Sequence, residues 1–236
     1  MPLSISLARE KMHRPLLKLR ALSLVAIGAL ALLATSASAQ LSIEITGAGA
    51  NRIPVAIADF GGEAGLSRAL TSVIRADLER SGLFKMVDTT GTAMNESTAP
   101  AYGDWRNRGA DALAAGSLGT GGDGRMEARF RLYDINKQQP LAGVAYPTST
   151  ATLRTAAHRI ADVIYEKLIG EPGVFSTRIA YVVKNGPARY ELTIADADGQ
   201  NAQVALRSRE PIISPVWSPD GARIAYVSFE NKKPII

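Results

Sequence analysis

The sequence predicts an α/β domain, a mixed sheet covered by two helices, followed by the first blades of an all-β propeller. Three observations carry this. Residues 66–80 and 152–169 place apolar side chains at helical spacing, and strand-like runs surround them. After Pro172-Gly173 the pattern changes to short strands and tight turns. Within that stretch Arg178-Ile-Ala-Tyr-Val returns as Arg223-Ile-Ala-Tyr-Val, 45 residues later, a period that reads as propeller blades. The organisation that follows is a leader at 1–39, an extended segment at 40–51, the α/β domain at 52–170 and the blades at 174–236.

The leader comes first. Basic residues from Lys11 to Arg20 precede an apolar run at 21–34 that ends in Thr35-Ser-Ala-Ser-Ala39. A bilayer-spanning helix needs about 20 apolar residues, so this run reads as the core of a secretory signal. Ala37 and Ala39 fit the small-x-small pattern of a signal peptidase, which predicts cleavage between Ala39 and Gln40. An uncleaved anchor is the alternative, and Met12 offers a second start that gives a more compact basic region. An exported chain with no cysteine to lipidate is expected to be soluble after processing, with no stable membrane insertion.

The charge balance belongs to this leader. Of 27 basic and 22 acidic residues, residues 1–39 hold five and one, which leaves a nearly neutral body of 22 and 21. Such a body has no electrostatic footprint for nucleic acid. The chain has no cysteine, which excludes a disulfide scaffold, a thiolate metal site and a cysteine nucleophile.

The mature chain opens on Leu41, Ser42, Ile43, Glu44, Ile45 and Thr46, a strict apolar–polar alternation before the loop Gly47-Ala-Gly-Ala-Asn51. The pattern reads equally as the first strand of the sheet or as a tethered strand that completes another protein's sheet edge.

In the α/β domain, 54–60 is a continuous apolar run expected to be a buried strand, broken by Gly61-Gly62. The helix at 66–80 carries Leu66, Leu70, Val73, Ile74 and Leu78 on one side and stops at Gly82. A short strand at 83–87, a polar loop at 88–104, a helical turn at 105–109 and a buried strand at 110–118 follow. Residues 125–134 alternate and pair with 141–146 across the turn at 136–140. The helix at 152–169 ends at Gly170. Beyond it, strands are expected at 178–183, 190–196, 202–207 and 223–227, with turns at Asn185-Gly186 and Asp198-Gly199.

Local chemistry gives no case for catalysis. Gly119–Gly124 resembles a phosphate cradle, but a strand follows it where an anion site needs a helix N-terminus. His158, the one histidine beyond the leader, lacks a second histidine at ligand spacing and reads as a surface or packing residue. Trp217-Ser-Pro-Asp-Gly221 could offer Asp220 to calcium or a sugar; its turn chemistry favours a hairpin with Trp217 packed between blades. No catalytic, cofactor or metal residue is assigned.

These pieces together resemble the TolB family of the Tol–Pal cell-envelope system. The match rests on the extended segment after Gln40, Asp77-Leu-Glu-Arg-Ser-Gly82, Gly109-Ala-Asp-Ala-Leu113, Ser214-Pro-Val-Trp-Ser-Pro-Asp-Gly221 and the two Ile-Ala-Tyr-Val segments. The resemblance implies a non-enzymatic periplasmic adaptor with a six-bladed propeller. Its amino-terminal segment engages the C-terminal domain of TolA and its propeller engages the lipoprotein Pal, in a system that maintains outer-membrane integrity and aids constriction at division. By position, Gln40, Leu41, Ser42, Ile43, Glu44, Ile45 and Thr46, with 47–52 adjoining, would contact TolA.

A six-bladed ring at this period needs about 270 residues beyond the linker, and about 63 are present here. The expectation is a fragment or a truncated product, with most of the Pal-facing surface missing and binding directed to TolA. Two rivals stand beside this reading: a fragment of a propeller-containing serine peptidase, and a periplasmic ligand-binding propeller protein.

Overall fold

The computed structural model describes residues 52–236. The predicted leader, its cleavage point and the strand at Leu41 to Thr46 lie outside the described residues.

The first part is a mixed sheet. Strands β1 (Ile53–Ile57), β3 (Phe84–Val87), β4 (Ala112–Thr120), β5 (Met126–Asp134) and β6 (Gln139–Pro147) run in the order β3-β1-β4-β5-β6, with the short β2 (Gly61–Gly62) beside β4. β1 lies parallel to β3 and β4; β4, β5 and β6 are antiparallel. Parallel neighbours need a crossover, and helix α1 (Ala64–Arg80) supplies it between β1 and β3.

Alternation along the strands splits the core in two. Val55 and Ile57 of β1, Ala112 and Ala114 of β4, and Phe130 and Leu132 of β5 face α1 and the helix α3 (Leu153–Ile169). Leu70, Ile74 and Leu78 of α1 meet this layer with Ile160 and Ile164 of α3, all fully buried. On the opposite sheet face Ala56, Leu113, Ala115 and Tyr133 pack with Met94, Trp105 and Ile135. Trp105 comes from the short helix α2 (Tyr102–Asn107).

The expected strand at 54–60 is shorter in the structure. β1 ends at Ile57, Asp59 bridges to Ala93, and Gly61-Gly62 is itself a paired segment rather than a break. Phe60 turns into the core with its N–H given to Thr71 Oγ1 (3.3 Å). Gly116 makes room for it, because a Cβ there would overlap the Phe60 ring and the Arg129 carbonyl. The helical turn expected at 105–109 lies earlier, in α2. Both long helices stop as their glycines predict: Gly82 at φ 75° and Gly170 at φ 90°.

Beyond α3 the chain is antiparallel only. β7 (Arg178–Lys184), β8 (Tyr190–Asp196) and β9 (Gln203–Ser208) form one sheet; β10 (Ile212–Trp217) and β11 (Ile224–Ser228) form a second. β10 was not anticipated from the sequence. Pro215 interrupts its ladder and Ser214 sits at φ 53°, so its register shifts between Ile213 and Val216. Among the described residues, no helix is long and apolar enough to cross a membrane.

Candidate functional site: the charged junction

The predicted site residues Gln40 to Thr46 lie outside the described residues. Among the described residues, the polar chemistry gathers where α1 and α3 meet the tip of the β8–β9 hairpin.

On α1, Asp77 follows the apolar stripe of Leu70 and Ile74 one turn further, and packing against α3 buries it. On α3, His158 falls beside Ala157 and Ile160. Their side chains are 1% and 3% exposed, and His158 Nδ1 donates to Asp77 Oδ2 at 2.6 Å. A carboxylate accepts only, so Nδ1 carries a proton. The buried pair is satisfied further by Arg80 Nη1, 2.9 Å from Asp77 Oδ1. His158 is therefore a packing residue, as the sequence suggested, and a polar one.

Arg154, one turn before His158, reaches the hairpin. Its Nη2 donates to Asp198 Oδ2 and lies 3.5 Å from His158 Nε2. Its Nε is 3.5 Å from Asp196 Oδ2, near enough for an ion pair but off hydrogen-bond geometry, which leaves that buried N–H without an acceptor. Turn chemistry presents the two aspartates. Gly199 at φ 81° lets its N–H reach the Asp196 carbonyl (2.9 Å), and Gln200 N–H holds Asp198 Oδ1 (3.0 Å). Burial opposes the Asp198 charge, but the Gln200 N–H and the Arg154 guanidinium outweigh it and hold its carboxyl below the usual aspartate value.

His158, Asp196 and Asp198 bring one ligand atom each within 4.8 Å of one another, which resembles a cation site. The Arg154 guanidinium already lies on both carboxylates, and Asp77 holds the other imidazole nitrogen. The ligand atoms are already engaged by these partners, so the cluster is an internal ion network and does not fit a metal.

The Trp217–Gly221 turn also resolves. Gly221 N–H reaches the Ser218 carbonyl at 2.8 Å, with Gly221 at φ 66°. The Asp220 carboxylate accepts from the Ser218 hydroxyl and from Ala222 N–H, which lowers its pKa and uses it within the turn. Arg178 stacks on the Trp217 ring, 4.7 Å from its centroid, and donates to the Gly221 carbonyl at 2.9 Å. Trp217 thus joins the two antiparallel sheets. Gly119–Gly124 is a hairpin between β4 and β5, as the following strand implied.

An α/β sheet domain joined through a charged contact to successive antiparallel, propeller-type sheets defines the class of protein. Comparison with known proteins narrows it. The model of the TolB amino-terminal domain matches residues 41–141, and that of the TolB beta propeller domain matches 165–236. The Tol-Pal system protein TolB of Dechloromonas aromatica (strain RCB) is 65% identical over 204 residues, 86% of this chain and 48% of that protein. The protein of the same name from Aromatoleum aromaticum is 60% identical over 213 residues, 90% of this chain and 50% of that one. The crystal structure of TolB from Acinetobacter baumannii superposes with a TM-score of 0.68 at 39% identity, covering 78% of this chain and 45% of that one. The chain belongs to the TolB family, and it spans about half the length of the curated relatives it matches.

Proposed function

We propose that the chain acts in the Tol–Pal system as a non-enzymatic periplasmic adaptor. In this reading the segment Gln40 to Thr46 adds a strand to the C-terminal domain of TolA. Main-chain hydrogen bonds would supply affinity, and Leu41, Ile43 and Ile45 on one face would supply specificity. The blades would face Pal, linking the two proteins in maintaining outer-membrane integrity and aiding constriction at division. The observation that carries the reading is the family match, which begins at Leu41 and so takes in the alternating segment itself. Relatives at 60–65% identity bear the name Tol-Pal system protein. The leader pattern ahead of Gln40 supports a periplasmic location.

The test is calorimetric titration of the mature chain, with and without residues 40–46, against the isolated TolA domain. The intact chain binds and the shortened chain does not. Equal binding by both would refute the assignment of these residues.

A further inference from the structure

The two hydrophobic clusters of the α/β part take in no residue of β7–β11; the last residue packed against them is Phe175. What joins this part to the first antiparallel sheet is therefore small and polar. One point is covalent. Asp162 of α3 accepts Phe175 N–H (2.7 Å) and Ser176 N–H (3.1 Å), and the Phe175 ring packs edge-on against Tyr165, with centroids 5.6 Å apart. Those residues belong to the α/β side. Thr177 belongs to the sheet, because its carbonyl accepts Ala197 N–H at 3.1 Å. The chain thus crosses at Ser176–Thr177.

The second point is ionic. The Asp196–Asp198 tip meets Arg154 of α3, with Arg80 Nη2 4.0 Å from Asp198 Oδ2 and His158 Nε2 3.8 Å from Asp196 Oδ2. A rigid sheet held at one pivot can swing; held at two points, it has a fixed angle.

We propose that the β8–β9 hairpin tip is a charge-held strap: Arg154, gripping Asp198 and Asp196, sets the angle of the first sheet to the α/β domain about the Ser176–Thr177 pivot. Three carboxylates (Asp77, Asp196, Asp198) face two guanidiniums (Arg80, Arg154) there. Removing one charge at the strap loosens the angle and leaves both folds in place, since the clusters that hold the α/β domain take in no residue of the β8–β9 hairpin. The strap stands independently of the TolA reading, because it invokes no residue before Asp77.

The chain has no cysteine, so two introduced cysteines take spin labels uniquely. Ala76→Cys on α1 and Arg209→Cys after β9 are both exposed positions on opposite sides of the junction. Pulsed electron paramagnetic resonance on the whole chain then reads the angle as a distance distribution. Asp198→Asn and Arg154→Gln each broaden it about twofold while the helical circular dichroism holds, as for a polar interface between movable parts. The charge-exchanged pair Arg154→Asp with Asp198→Arg is narrower than Arg154→Asp alone. Native width in both single variants overturns the strap. So does loss of helical signal in Asp198→Asn, which would make the tip part of the α/β core. Should Arg154→Gln not fold, Asp198→Asn decides alone, because it exchanges one carboxylate oxygen for an amide of the same shape and leaves α3 unaltered.

Discussion

Replacing His158 by Ala tests the buried pair on which the helix layer closes. The Asp77 carboxylate is 1% exposed and has two charged or polar partners, His158 Nδ1 at 2.6 Å and Arg80 Nη1 at 2.9 Å. A hydrogen bond to a charged group contributes about 1.5–3 kcal/mol, and a buried carboxylate stripped of it keeps its desolvation penalty. The imidazole is itself buried against α1, so truncation also leaves a void. Arg80, half exposed, remains as partial compensation. The expected loss is about 2–4 kcal/mol, or roughly 5–15 °C in Tm for a chain of this size. Urea unfolding followed by Trp105 fluorescence in a Trp217→Phe background measures it, since the sequence holds just these two tryptophans. Asp77→Ala and the double variant complete a cycle, and the pair predicts strongly non-additive losses. A loss below about 0.5 kcal/mol, or additive single effects, would refute the claim that these groups depend on each other.

Three further outcomes follow from the geometry. Gly116→Ala forces a methyl into Phe60 and the Arg129 carbonyl, so it lowers stability by about 1–3 kcal/mol in urea titrations. Arg178→Ala removes the cation from the Trp217 ring and a donor from Gly221, at a cost of about 1–2 kcal/mol, and shifts Trp217 emission to the red as water reaches the indole. Acid weakens the strap through Asp198. Its folded pKa is depressed, so its stabilisation is present above the ordinary aspartate value and lost as pH falls through the lowered one; carboxyl NMR titration reads the shift, and Asp198→Asn abolishes that part of the acid limb.

The layer architecture was legible because it rests on local periodicity. The stripe Leu70, Ile74, Leu78 and the alternation Ala128, Phe130, Leu132 each announce a face without reference to the rest of the chain. Glycine stops at Gly82 and Gly170 were legible for the same reason. β10 was not, because Pro215 and the bulge at Ser214 erase the two-residue period that marks a strand. The junction was least legible. Asp77 and His158 are 81 residues apart, and Arg154 and Asp198 are 44 apart. No local pattern links the members of either pair; only folding makes them neighbours. The available signal was weak: a carboxylate at Asp77 sits one helical turn beyond Ile74 on a buried stripe, where an unpaired charge is costly.

The internal repeat explains why this junction lies where it does. Aligning the two Arg-Ile-Ala-Tyr-Val segments sets Trp217-Ser-Pro-Asp-Gly221 opposite Pro172-Gly-Val-Phe-Ser176. In the second repeat Trp217 packs on the preceding sheet through Arg178, and Asp220 caps its own turn at Ala222 N–H. In the first repeat the corresponding stretch meets α3 instead. Phe175 stands where Asp220 would be and enters the layer beside Tyr165. Asp162 of α3 takes the Phe175 and Ser176 N–H groups, while Thr177, the counterpart of Ala222, gives its N–H to the Val174 carbonyl (3.2 Å). Gly173 permits that approach, since a Cβ there would overlap Asp162. The first repeat therefore departs from the second at the residues that touch the α/β domain.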